Sequence, residues 1–590
     1  MINSALRTLV HSVTEQALDD DVHEHNFTMA TQAQQIDPYE WHYTGTDVWK
    51  RTCLGHEASA SFNQNIAPGH TELSPYVSFR IHHPSSSRIA GTELELDELV
   101  ARTRQAWIQM RYLRPEVAVE LDRHTDATKP QTMTYKVLRD EESLRQWIDE
   151  TLVVKRLGQV EAETIDQVAA YTCNRPLPTQ GKKAMLYLVL PKLGETDRSA
   201  HLILNISHAV TDGGSITDSF NVLLQCMIDA TPSAPYHSIY TPSTFELNVL
   251  PRLPRSVVSA YRQQHKPKAE DVAAANKAAE DNMRLISDKV DESLALLPSS
   301  KWTEREHETI CLAKEMAADE ARELFKFAKL NHTGVTYLAS AATILATAET
   351  YPERKASSQG ALMGMVRNAR RWVSSQAVPL GSDAVFLWIP INTHTSLEPR
   401  YNGLSDLVSI AHTIRKELDS NLTTPHCISS FPTVANGSIQ GLRQQWAQIN
   451  SAHTSSSTAA ATSQEKLDSI IGPQAPGFSS IGVSGIYPRF QPVSPSARAS
   501  GLWLQRWDLT HTGRQMNASP WISMLTIDGR LKFQLGFDAK FHEVGKMRQW
   551  LDRTFAWMQI CAAAASATTT TIPPSPAASP SFNAPVAARL

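Results

Sequence analysis

The chain has 590 residues, 42% of them hydrophobic and 20% charged, with 56 Lys plus Arg against 60 Asp plus Glu and a net charge of −4. This is the composition of ordinary globular domains, which excludes disordered and collagen-like classes, and it offers no basic surplus to attract nucleic acid. At about 150 residues per domain the length allows roughly four units, or two to three large ones.

The cysteines, Cys53, Cys173, Cys226, Cys311, Cys427 and Cys561, form no C-x-x-C pair. Neither a zinc ribbon nor a disulfide framework is suggested, and a reducing compartment fits. The opening MINSALRTLVHSVTEQALDD lacks the apolar core of a secretory signal, and no later run reaches the 18 or so apolar residues of a membrane span. The expectation is a cytoplasmic protein with no membrane span. A sequon at Asn205-Ile206-Ser207 falls inside an apolar strand pattern, where a glycan has no room.

In chain order, residues 1–35 are polar and read as a loose segment. SPYVSFRI (74–81) reads as a strand. Leu96, Leu99, Val100, Ala106, Trp107, Met110 and Leu113 recur at three- and four-residue spacing, which gives an amphipathic helix that Pro115 ends. AMLYLVLP (184–191) and HLILNI (201–206) are short apolar runs joined by a polar segment, the pattern of two buried strands. After Gly213-Gly214, Ile216, Phe220, Leu223, Leu224, Met227 and Ile228 mark a helix, with Ser215 and Asp218 at capping-box spacing.

Residues 241–305 turn proline-rich and then charged and alanine-rich, and read as a solvated crossover between two halves, 36–240 and 306–560. The second half repeats the alternation, with helices over 317–330 and 335–347, a strand in VFLWIPI (385–391), a helix over 407–418 and a strand in SSIGVSGIY (479–487). SAHTSSSTAAATS (451–463) reads as a surface insertion. Asp528-Gly529 between two alternating runs predicts a hairpin. A last helix carries Val544, Met547, Leu551, Phe555 and Met558, and the Ala/Ser/Thr/Pro tail, 561–590, is expected to be disordered.

The sequence has no GxGxxG, P-loop, GxSxG elbow or HExxH, so nucleotide, dinucleotide, α/β-hydrolase and zincin readings lose their motif support. One constellation remains: Ser207-His208-Ala209-Val210-Thr211-Asp212-Gly213-Gly214, in the turn between a buried strand and a helix. Rigid elements there can hold a side chain toward a cavity. A histidine can take a proton near neutral pH and return it, which is what an alcohol needs as it attacks an acyl carbonyl. Asp212 could orient that ring or brace the loop, and Gly213 would permit a tight turn. The bland alternative is a loop histidine capped by a nearby carboxylate.

The segment HLILNISHAVTDGGSITDSF resembles the active-site strand, turn and helix of the acyltransferase superfamily that includes chloramphenicol acetyltransferase, peptide-synthetase condensation domains, plant BAHD enzymes and fungal alcohol acetyltransferases. RTRQAWIQMRYLRPEVA, LFKFAKLNHTGVTYLASAATILA, FLWIPIN and LTIDGRLKFQLGFDAKFH extend the likeness over most of residues 70–560. The early DVWKRTCLGHE and the long insertions look most like fungal trichothecene 15-O-acetyltransferases. The resemblance implies an α/β fold of two chloramphenicol-acetyltransferase-like halves, each a mixed sheet with packed helices, with the active site at their interface. It implies acetyl-CoA as co-substrate with no bound cofactor or metal, a small-molecule alcohol such as the C-15 hydroxyl of a trichothecene-type sesquiterpenoid as acceptor, and a monomer.

Carried across by residue, His208 matches the family's general base, Asp212 the motif aspartate that points into a structural ion pair, and Gly213 the turn glycine. Arg111, late in the first long helix, matches the arginine that pairs with the aspartate in condensation domains, with Arg114 nearby and a solvated surface position as the alternative. Two departures stand out. Ser207 replaces the first of the two histidines of condensation domains, as in the alcohol-acylating branches, and the DFGWG segment of plant BAHD enzymes is absent.

Other candidates have plainer readings. His82-His83 reads as a polar loop pair and His332 as a helix-cap residue; His23 and His25 lack a third ligand nearby. Trp388 and Trp503 are candidate pocket residues. A condensation-like enzyme using carrier-bound acyl groups, or a catalytically silent binding module, are the rival functions.

Overall fold

The computed structural model describes residues 37–570 apart from 46, 83–92, 123–125, 127–128, 130, 159–162, 178–182, 193–198, 231–248, 374–377, 392–402, 423–424, 456–473 and 493–501. The expectations for the first 35 residues, for nearly all of the Ser/Thr insertion and for the tail past Thr570 lie outside the described residues, as do His23, His25 and His83.

Two seven-stranded mixed sheets organise the chain. In the first, Ser199–Ser207 is central, antiparallel to Tyr76–His82 on one side and to Ala184–Leu190 on the other, with Leu152–Arg156 added parallel at the far edge. All nine residues of Ser199–Ser207 are buried, which is why the run reads as continuously apolar rather than alternating. The helices Glu93–Leu113 and Gly213–Asp229 pack together on this sheet, and Trp107, Phe220, Leu224 and Met227 are buried in the core they share.

The second sheet runs Ser293–Leu294, Gly360–Asn368, Gly477–Val483, Trp521–Ile527, Arg530–Asp538, Thr309–Met316, with Ser382–Pro390 also paired to Gly360–Asn368. The predicted hairpin is present. Asp528 and Gly529 both have positive φ, 49° and 78°, the two-residue turn whose twist matches right-handed strands. His332, at φ 50°, sits in the left-handed turn between helices Ala318–Leu330 and Val335–Thr350.

Three expectations need correction. First, the halves are not separate along the chain. Trp503–Thr510 pairs antiparallel with Tyr76–His82, and Arg489–Phe490 extends that edge, so two strands from the second half complete the first sheet. A strand closing a sheet edge satisfies backbone groups that would otherwise lie open, and nothing in its own sequence tells which sheet it joins. Second, the alanine-rich crossover forms the helix Ala269–Lys289, which borders the central cavity. Third, the last helix is Val544–Thr570, past the boundary placed at Cys561. Cys561, Ala562 and Ala565 are buried because they continue the apolar stripe of Met547, Leu551 and Met558 at helical spacing. Among the described residues no helix is long and apolar enough to cross a membrane.

Candidate active site

A cavity of about 920 Å³ opens between the two halves. From the first half it is lined by His56, His70, His208 and Asp212–Gly214; from the second by Arg370, Ser479–Ile481, His511 and Trp521. The crossover helix supplies a wall: Asp271, Ala274, Ala275, Ala278, Ala279 and Asn282 fall on one face, at the three- and four-residue intervals of a helix. Trp388 and Trp503, the two tryptophans singled out from sequence, are not among its lining residues. Trp503 stacks instead on His82, with ring centroids 3.8 Å apart, and Trp388 packs on a small cluster with Leu362 and Ala475.

The motif turn starts where the buried strand ends. Ser207 is held inward, its Oγ donating to Gln64 Oε1 at 2.8 Å and accepting from Ala209 N at 3.1 Å, and His208 N donates to Thr71 O at 3.2 Å. His208 thereby sits at the rim of the cavity, its ring held below the ordinary histidine pKa. Burial is the main cause and outweighs the upward pull of Asp212 and of the main chain at His208 and Thr211; a positive His56 would depress it further. A neutral imidazole facing a cavity can accept a proton at neutral pH.

Asp212, rather than Ser215, caps the helix Gly213–Asp229. It has the extended backbone of an N-cap residue, φ −139° and ψ 178°, and its Oδ1 accepts from Gly214 N and Ser215 N, both at 3.1 Å. The same oxygen accepts from Arg370 Nη2 at 2.9 Å, and Oδ2 accepts from Gly381 N at 2.9 Å and Ser382 N at 3.0 Å. Burial pushes the Asp212 pKa up, but Arg370 and these donors outweigh it and hold the carboxyl below the usual range. Five donors use up the carboxylate, which leaves it as a clasp between the halves.

Arg111 is not the partner of Asp212. It is buried, donates to Lys136 O and lies over the rings of Tyr135 (4.9 Å) and Trp147 (5.3 Å). It fastens the first long helix to the strand Thr132–Lys136 and the helix Glu141–Thr151. Neighbouring Arg114 pairs with Glu116 at 2.6 Å. Sequence reasoning missed Arg370 because NARRW offers adjacent arginines and no pattern marks the one that turns inward. The Ala274/Ala275/Ala278/Ala279 repeat was a readable signal for a small-residue helix face.

Gly213 is not needed for a left-handed turn, since its φ is not positive. A Cβ there would lie 3.7 Å from Ile481 and 3.9 Å from His511 Nδ1, so the missing side chain keeps cavity space open. Beside that space, Ser480 Oγ accepts from Thr336 Oγ1 at 2.9 Å, and a register shift between Ser480 and Gly482 breaks the regular alternation of the strand, as bulges beside functional sites do. His511 has its pKa lowered to about 4, chiefly by burial and secondarily by Lys532. Among the described residues no cluster of three or more His, Cys, Asp or Glu side chains could hold a metal ion.

Comparison with known proteins places the chain in a family. The chain is 65% identical over 598 residues to the acyl-CoA-dependent acyltransferase MAC1 of Mycosarcoma maydis, covering 100% of both chains. It is 62% identical to MAC1 of Pseudozyma antarctica, covering 89% of this chain and 96% of that one. The chain belongs to the acyl-CoA-dependent acyltransferases. Its co-substrate is therefore a CoA thioester, and the two-halved fold is that of the superfamily. Among solved structures, the trichothecene 15-O-acetyltransferase TRI3 from Fusarium sporotrichioides superposes with TM-score 0.68 at 16% identity, covering 89% of this acyltransferase and 98% of TRI3. SgcC5 from Streptomyces globisporus gives TM-score 0.52 at 12% identity, covering 87% and 98%. Both likenesses concern the fold. No family model matches the chain.

Proposed function

We propose that this acyltransferase moves an acetyl group from acetyl-CoA to a hydroxyl of a small secondary metabolite, with His208 as general base. The observation that carries the reading is a cavity-lining His208 on a turn that residues of both halves hold in place, with burial favouring its neutral form. As the hydroxyl oxygen attacks the thioester carbonyl, His208 takes its proton and the carbonyl pair moves onto oxygen. When that pair returns, the C–S bond breaks and the CoA thiolate takes the proton from His208. Asp212, its oxygens taken by five donors, is left to fix the turn and to favour the transient imidazolium by its charge.

For the acceptor, the resemblance to fungal enzymes supports the C-15 hydroxyl of a trichothecene-type sesquiterpenoid. The cavity of about 920 Å³ has room for a fused-ring alcohol beside the acyl end of the thioester. The same reading takes the protein as a monomer in a reducing, cytoplasmic location; the absence of a disulfide among the described residues supports the reducing compartment. Against a condensation-like role stand Ser207, committed to Gln64, and relatives named for acyl-CoA.

The test is release of free CoA thiol from acetyl-CoA with a panel of alcohols that includes terpenoid and polyhydroxylated acceptors. Wild type should release thiol only with an accepted alcohol, and His208→Ala should be silent. Equal release by the two proteins sinks the base assignment. Reaction with carrier-bound acyl groups alone would favour the condensation reading.

A further inference from the structure

We propose that His511 is a second catalytic residue, donating its Nδ1–H to the thioester carbonyl oxygen as that oxygen becomes an oxyanion. The inference rests on the acyl-transfer reading above.

His511 directly follows Trp503–Thr510, the second-half strand that completes the first sheet, and it lines the same cavity as His208. The backbone around it is pinned. His511 N donates to Gln534 Oε1 at 2.9 Å, Thr512 Oγ1 to Ser74 O at 2.6 Å, and Ser74 N to Thr512 O at 2.8 Å. The backbone that carries the ring is thus held in place without help from a ligand.

Its two nitrogens are not equivalent. Nε2 is shielded from solvent and has no hydrogen-bond partner. A proton on Nε2 would be a buried donor without an acceptor, at a cost of about 1–3 kcal/mol, whereas a bare lone pair is the lesser loss. The single proton therefore belongs on Nδ1. That nitrogen faces Gly213, 3.9 Å from where a Cβ would stand, so the absent side chain leaves room for a substrate oxygen.

Burial, helped by the positive charge of Lys532, disfavours a second proton on His511. The ammonium of Lys532 is itself tied to Asp508 at 2.9 Å and to Thr510 Oγ1 at 2.9 Å. At neutral pH His511 is thus a fixed, uncharged donor that does not compete with His208 as a base. No proton leaves it during the reaction. The hydrogen bond shortens as the carbonyl pair moves onto oxygen and relaxes when the pair returns to expel the thiolate. An interaction that strengthens in the transition state accelerates the chemical step.

The experiment measures kcat and KM for acetyl-CoA in the full-length wild type, His208→Ala, His511→Leu and His511→Gln. Loss of one such donor costs about 10²–10³ in kcat, so His511→Leu should fall about a hundredfold with KM little changed. His511→Gln, which keeps an N–H, should recover part of the rate. The rising acid limb of the pH profile, which belongs to His208, should stay where it is in the Gln variant. A folded His511→Leu with wild-type kcat overturns the proposal.

If the Leu variant does not fold, unmutated protein labelled with ¹⁵N-histidine decides. A non-transferable thioether analogue of acetyl-CoA should move the His511 Nδ1 resonance, and no movement at saturation overturns the assignment. Should wild type release no thiol with any alcohol, or should His208→Ala match it, the acyl-transfer reading fails and this proposal falls with it. A dead His208→Ala beside an unaffected His511→Leu removes His511 alone.

Discussion

Arg370 Nη2 lies 2.9 Å from Asp212 Oδ1, and through this contact the second half of the molecule holds the turn that carries His208 in the first. The Asp212 side chain is 2% exposed and that of Arg370 21%. Removing one partner of a buried pair leaves a charge without compensation, at a cost of about 3–5 kcal/mol; the partial exposure of Arg370 places this pair at the low end. Arg370→Met should therefore lower the urea midpoint and the transfer rate together. Gly381→Ala should do the same without touching either charge, because its Cβ would fall 2.4 Å from Arg370 Cγ while Gly381 N is bound to Asp212. A Gly381→Ala protein with wild-type stability would show that the clasp has slack.

Asp212→Asn separates bracing from direct catalysis. The amide keeps an acceptor but loses the charge that meets Arg370, so much of the activity loss should track lost stability. The negative charge of Asp212 also raises the His208 pKa, so without it the acid limb of kcat/KM should move to lower pH. A fully stable, inactive Asp212→Asn would argue for direct participation instead.

With His208 as the proposed base, the wild-type acid limb should report its titration. Its pKa lies below the ordinary 6.5, so the ring is already neutral at pH 7 and kcat/KM should be flat through neutrality. Below the folded pKa the base form declines about tenfold per pH unit, and the rate with it. A limb centred above pH 6.5 in a kcat/KM profile would contradict the burial that lowers this group.

The local parts of this site were legible and the joined parts were not. The apolar run before His208 and the stripe from Ile216 to Ile228 marked a strand and a helix because periodicity is a local property. The turn between them had to expose His208. Asp212 as N-cap could also have been read, since it directly precedes the first helical residue; Ser215 was the wrong choice because it lies inside the helix. Arg370 is 158 residues from Asp212, and His511 reaches Gly213 from the end of a strand that crosses to the other sheet. Pairings at that separation are set by topology. Arg111, taken as the partner by analogy, is spent on Tyr135, Trp147 and Lys136.

Mild acid should loosen the fold before it protonates ordinary carboxylates. His70, His511 and His542 have folded pKa values lowered to about 3, about 4 and about 4, each chiefly by burial. The unfolded chain binds protons on all three as pH falls through about 6.5, while the folded chain does not. Their contribution to stability is therefore full above about pH 6.5 and declines below it, by up to about 1.4 kcal/mol per pH unit for each ring. The urea midpoint at pH 5.5 should be clearly below that at pH 7.5. Equal midpoints would mean that these rings titrate alike in both states.

Gly213 gives the sharpest test of how the cavity is used. Its φ is not in the left-handed region, and a Cβ would make only ordinary contacts, 3.7 Å to Ile481 and 3.9 Å to His511 Nδ1. Gly213→Ala should therefore fold as well as wild type, or better by about 0.5–1 kcal/mol, since alanine loses less backbone entropy in a helix. Gly213→Val adds two methyl groups in the space between Ile481 and His511. Its melting temperature should stay close to that of the alanine variant while kcat falls by a factor of ten or so, because misplacing reacting atoms by about 1 Å can cost about 10²-fold. Stability and activity then move independently at this position, as they do not at Asp212 or Arg370. Wild-type turnover in a folded Gly213→Val protein would place the reacting acyl group elsewhere in the cavity.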